Sequence, residues 1–233
     1  MWSIAPRAVA RYSFLGRRAV STLSNNPHIK VFNDSTSPAS HILTYLDSSP
    51  PVKSLSIGTS TAIPPTPQTF TENRQFLAIL DEVVKEYGHL DEDVISQARA
   101  LAAPGGFNLG SGGAFFSQQR SGRGGSRKQG AGGGAGGSGA GGASAQGGAG
   151  GGGRGGFVHL SDRRNPPDYG RIAWPEDILG SVEVDEGGNV VGKAQPSGTY
   201  RVLTNEGILG LSPFLRQKLV ERLRQEEAKE KSS

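Results

Sequence analysis

The chain has 233 residues, 36 of them glycine, no cysteine, and a formal charge of +4 at neutral pH. The missing thiols exclude disulfides, thiolate zinc sites, iron–sulfur ligation and cysteine nucleophiles. No apolar run approaches the roughly 18 residues that a membrane-spanning helix needs.

The charge is unevenly placed. Residues 1–20 carry Arg7, Arg11, Arg17 and Arg18 and no acid, and everything after residue 20 sums to zero. The basic isoelectric point therefore owes much to the N-terminal segment and says little about a nucleic-acid footprint.

Residues 1–20 have the composition of a mitochondrial transit peptide: arginine, serine, small and apolar residues, and no acid before Asp34. On a helix, Arg7, Arg11 and Arg18 fall near one face, which suits anionic membranes and the mitochondrial import and processing machinery. This predicts a protein of the mitochondrion, in the matrix. Residues 21–68 are rich in Ser, Thr and Pro, and read as an extended or disordered lead-in. "HIKVF" and "SLSIG" within it are strand-like but too short to stand alone.

Residues 69–104 predict a helical hairpin. Thr69 and Glu72 form a T-x-x-E capping pattern. Phe76, Leu77, Leu80, Val83, Val84 and Tyr87 then follow the three–four spacing of one apolar face, and Gly88 stops it. Asp91 caps a second helix whose apolar side holds Val94, Ile95, Ala98, Leu101 and Ala102. Two short helices bury too little to be stable alone, so their apolar faces are expected to dock on the C-terminal part.

Residues 105–156 contain 25 glycines and no acid, and read as a large disordered Gly-rich linker. Arg120, Arg123, Arg127, Lys128 and Arg154 are candidate RNA contacts, because flexible guanidinium groups reach phosphates and bases. Arg-Gly-Gly occurs only twice, however, so RNA attachment by this run would be weak and salt-sensitive, and a passive tether is favoured. No Gly-Lys-Ser/Thr follows any glycine, which excludes a P-loop.

Residues 157–225 predict a small α+β module: a three- or four-stranded antiparallel β-meander closed by a C-terminal helix. "FVHL" is a strand, "SVEVDEGGNVVG" a hairpin turning at Gly187-Gly188, and "TYRVLT" the next strand. Ser212 and Pro213 start the helix, with Phe214, Leu215, Leu219, Val220 and Leu223 as its stripe. Residues 226–233 read as a charged tail fraying into solvent.

The loop between the first two of these strands holds Asp162, Arg163, Arg164, Asp168, Arg171, Glu176 and Asp177. A catalytic reading takes Glu176 or Asp177 as general base and the arginines as an anion clamp. Local pairing or solvation of these charges is the simpler account. Tyr169, Arg171 and Trp174 form a candidate interface, being residue types that anchor partners, although Trp174 could equally plug the small core. No cofactor motif is present. His28, His41, His89 and His159 lack metal-ligand spacing, and no nucleophile elbow occurs. The sequence points first to a non-enzymatic interaction or assembly factor for a larger mitochondrial protein complex. Second stands an RNA- or mitoribosome-associated protein, and third a small enzyme working in the 162–177 loop.

Overall fold

The computed structural model describes residues 21–37, 39–102, 155–168 and 171–232. The candidate transit peptide, the five candidate RNA contacts and Tyr169 lie outside them. Among the described residues no helix is long and apolar enough to cross a membrane.

The fold is α+β, with an antiparallel meander, a C-terminal helix and two helices before the meander. Residues 21–68, expected to be extended or disordered, supply most of a second sheet. Strands β1 (Ser21–Thr22), β2 (Lys30–Asn33), β3 (His41–Thr44), β4 (Gly58–Ser60) and β5 (Phe70–Glu72) pair in chain order, all antiparallel. The prolines that argued against strands sit between them: Pro27, Pro50, Pro51, Pro64, Pro65 and Pro67 all fall in connections. Proline there presets turn backbone and removes no ladder hydrogen bond. The strands are short, and both faces of the middle pair are covered. Val31 and Leu43 sit opposite each other in the core, and so do Phe32 and Ile42 on the other face.

Helix α1 (Arg74–Tyr87) begins later than the capping pattern predicts. Asn73 is the N-cap, its side chain accepting from the Gln75 N–H at 3.0 Å. Glu72 belongs to β5 instead, and its carboxylate accepts the Val202 N–H at 2.9 Å. Gly88 ends α1 with φ of −57°, an ordinary helical value. Its service is the missing Cβ, which would lie 2.9 Å from the Ala194 Cβ.

After a 3-10 turn at Gly88–Leu90, α2 (Glu92–Ala102) starts with Asp91 accepting the Asp93 N–H at 2.9 Å, as expected. The three-stranded meander is β6 (Gly156–Ser161), β7 (Ile178–Val184) and β8 (Val190–Pro196). Gly188 takes the left-handed position of the β7–β8 turn with φ of 76°. "TYRVLT" does not extend this sheet. Only β9 (Leu203–Thr204) forms there, and it pairs with β10 (Gly207–Ile208) in a separate hairpin.

The last helix, α3 (Pro213–Ser232), runs through the expected tail. Its charged end is held by spaced ion pairs: Arg222–Glu226 and Lys229–Glu226, both 2.9 Å, and Lys231–Glu227, also 2.9 Å. Ser54 donates to Glu230, and Glu227 is buried. Charge composition alone does not distinguish such a laced helix from a frayed one.

Helix α1 packs between the inner face of β7–β8 and α3, as the apolar face of the hairpin predicts. One cluster of buried side chains takes in Val31 and Leu43 from the first sheet, Phe76 and Leu80 from α1, and Val182 and Leu219 from the C-terminal part. The hairpin and the C-terminal unit therefore share one core.

The residues flanking 103–154 also meet. A Cβ on Gly156 would lie 3.7 Å from Leu101 Cδ2, and one on Gly188 would lie 2.7 Å from Ala102 Cβ. The chain leaves the fold and returns at one place, so the segment does not bridge two separate bodies. Replacing it with a linker of about six residues shortens the loop by about three halvings, at about 0.6 kcal/mol each, and should stabilise the fold by about 2 kcal/mol. Urea melts of the two chains measure this. A destabilised replacement would show that the segment contributes to the core.

Candidate interaction surface

The charged loop of the sequence resolves into a buried tie. β6 ends at Ser161, and the next residue, Asp162, is buried with its N–H donating to the Asp177 carbonyl at 2.7 Å. Asp162 Oδ1 accepts the N–H groups of Arg164 and Gly210, both at 2.8 Å, and its Oδ2 accepts the Tyr200 hydroxyl at 2.7 Å. Burial pushes the Asp162 carboxyl above the ordinary carboxylate range, while Arg164 and these three donors pull it down. Burial and the Asp162 charge together push the Tyr200 hydroxyl well up, so it stays a donor.

Arg164 is the centre of the tie. Its side chain is only 3% exposed. Nε donates to Asp177 Oδ1 at 2.7 Å, Nη2 to the Glu176 carbonyl at 2.8 Å, and Nη1 to the Val202 carbonyl at 3.0 Å. The guanidinium also lies over the Tyr200 ring, 5.4 Å from its centroid. A planar fork with five donors is the one side chain that can reach all three acceptors at once.

This arrangement does not assemble the catalytic parts that the sequence suggested. Asp177 is committed to Arg164 and buried. Glu176 points its side chain to solvent and uses only its carbonyl, which also accepts the Arg201 N–H at 3.1 Å. Arg163 turns the other way, to Asp93 of α2 at 2.7 Å. Asp168 and Arg171 are exposed, with the Arg171 N–H closing a turn on the Asp168 carbonyl. The arginines do not converge on a common point, so no anion clamp forms.

What the tie does hold is the short stretch before it. Ala173 is buried, and the Trp174 carbonyl accepts the Asp177 N–H at 2.8 Å, opening the 3-10 turn at Pro175–Asp177. Between and beside these anchors, Trp174 is 70% exposed and Ile172 46% exposed. Trp174 therefore does not plug the core. Of the candidate interface, Arg171 and Trp174 are both on the surface, and Ile172 joins them. Sequence reasoning passed over Ile172 because it belongs to no periodic pattern. Its place between Gly170 and Pro175 in a loop was the available signal.

A second exposed apolar pair lies on the outer face of the meander. Phe157 opposes Glu183, and Glu183 opposes Val191, so the three form one row across the sheet. Phe157 and Val191 are each about half exposed. The free edge strand β8 beside them carries Lys193, a positive-φ Gly192 and the terminal Pro196, features that discourage edge pairing.

The chain matches no protein-family model, no curated protein and no solved structure.

Proposed function

We propose that this chain is a non-enzymatic interaction or assembly factor, imported into mitochondria, that docks on a larger protein complex through the Arg171–Trp174 segment. The observation that carries the reading is Trp174, a large aromatic side chain left 70% exposed on backbone fixed at both ends. Tryptophan and arginine are the residue types most often found as binding anchors. A rigid backbone lowers the ordering cost of binding, and the Arg164 tie supplies that rigidity. The arginine-rich, acid-free first twenty residues support import.

Trp174→Ala should leave the melting temperature unchanged, because the side chain packs on little, and should move the protein from a large complex to a free species. Sedimentation of tagged protein from gently lysed mitochondria reads both states. A variant that still travels with the complex would remove this segment as the docking surface. RNase-sensitive sedimentation would turn the reading toward RNA. Deleting residues 1–20 should leave the protein outside mitochondria.

A further inference from the structure

A separate groove of about 560 Å³ runs between the first turns of α3 and the strand pair β2–β3. We infer that it binds an extended, carboxylate-bearing segment of a partner protein. The inference rests on the reading of the chain as an interaction module and specifies the chemistry of what it binds.

One wall is a single face of α3: Arg216, Val220 and Arg224, spaced four apart. The other wall includes His28 and Lys30. The groove's acids are already answered. Asp47 pairs with Lys30, and Glu221 accepts from Gln217 at 2.9 Å and Lys218 at 3.1 Å. Among the described residues, neither the Arg216 nor the Arg224 guanidinium makes a hydrogen bond or ion pair, although Arg224 senses Glu221 and Glu227 through space. Two forked cations thus face the groove with their donors unused.

Tyr45 forms the floor. It is 4% exposed, and its hydroxyl has no partner at bonding distance, since the nearby Asn26 amide donates to the Leu209 carbonyl at 3.0 Å.

The spacing selects the ligand. Arg216 and Arg224 are eight residues apart, about 12 Å along a helix. An extended peptide rises about 3.3 Å per residue, so carboxylates four residues apart match both guanidiniums. Arginine forks bind carboxylates bidentately. The side chain midway between the two carboxylates meets Val220, so an apolar residue belongs there. A nucleic-acid strand fits less well. Its phosphates form an unbroken row of charges that would pass Asp47 and Glu221 as well as the arginines, and Tyr45 is too buried to stack a base, which leaves only the His28 ring.

The test is fluorescence anisotropy of the full chain with a labelled peptide carrying glutamates four residues apart and valine midway between them. Saturable binding is expected, weakened about tenfold in Arg216→Ser/Arg224→Ser and by the same factor when glutamine replaces the glutamates. Arg224→Ser alone, at an exposed position, is expected to weaken binding about threefold and serves if the double variant does not fold. Trp174→Ala should bind the peptide as the wild type does. No saturable binding, equal binding by a folded arginine variant, or equal binding of the glutamine peptide would overturn the inference. Preference for oligouridylate over the peptide would overturn it too, in favour of RNA. If the peptide binds as expected while the chain joins no complex in mitochondria, the groove stands and the assembly-factor reading falls.

Discussion

Arg164→Ala is expected to lower the stability of the fold by about 3–5 kcal/mol, the loss that follows when one partner of a buried ion pair is removed. The reason lies in what stays behind. Asp177 and Asp162 would remain buried with no cation beside them, and the Glu176 and Val202 carbonyls would lose their donors. Water cannot easily replace a side chain that is 3% exposed. Arg164→Lys keeps the charge but not the fork, so it should recover less than half of the loss. Arg163→Ala is the control. It breaks an exposed pair with Asp93 and should cost less than about 1 kcal/mol. Urea melts of the three variants separate these cases. A loss under about 1 kcal/mol for Arg164→Ala would mean that the tie contributes specificity of shape and little stability. If Trp174 docks as proposed, the same variants also change binding, because the tie fixes the backbone beneath it. Arg164→Lys should weaken docking even where the protein remains folded.

The second large effect is expected at the joint of two helix N-termini. Asp91 caps α2 and Ser212 caps α3, and the two caps are themselves bonded, Ser212 Oγ donating to Asp91 Oδ2 at 2.5 Å. Both residues are buried. Asp91→Ala therefore removes a cap and strands a buried hydroxyl, for an expected loss of about 2–4 kcal/mol. Ser212→Ala removes the other cap and deprives a buried carboxylate of a donor. The double variant should cost less than the sum of the two, with a coupling energy of about 1 kcal/mol or more. Additivity within about 0.3–0.5 kcal/mol would show that the caps act independently.

The helices were legible because their signals are local. Three–four spacing marks the face of α1, and single residues, Asp91 and Ser212, mark two starts. The hairpin at Gly187-Gly188 was legible for the same reason. The first sheet was not. Its strands are two to four residues long, and the middle ones are covered on both faces, so they show neither length nor alternation. The Asp162–Arg164–Asp177 tie was also hidden. Its members come from different turns, and Tyr200 and Val202 arrive from nearly forty residues away. A run of mixed charges looks the same whether it is solvated or buried. Trp174 was legible as a candidate, but only its surroundings could decide between core and surface.

The sharing of one core across the long glycine-rich segment governs the order in which the protein can fold. Helix α1 is covered by β7, β8 and α3, all of which follow it far down the chain. β7 begins roughly 90 residues after α1 ends, which at synthesis rates of about 5–20 residues per second is a wait of about 5–20 seconds. Through that interval Phe76, Leu80 and Val83 have no native partners from the second half. The first half must be held soluble by a chaperone or remain extended, and a chain released early would be aggregation-prone.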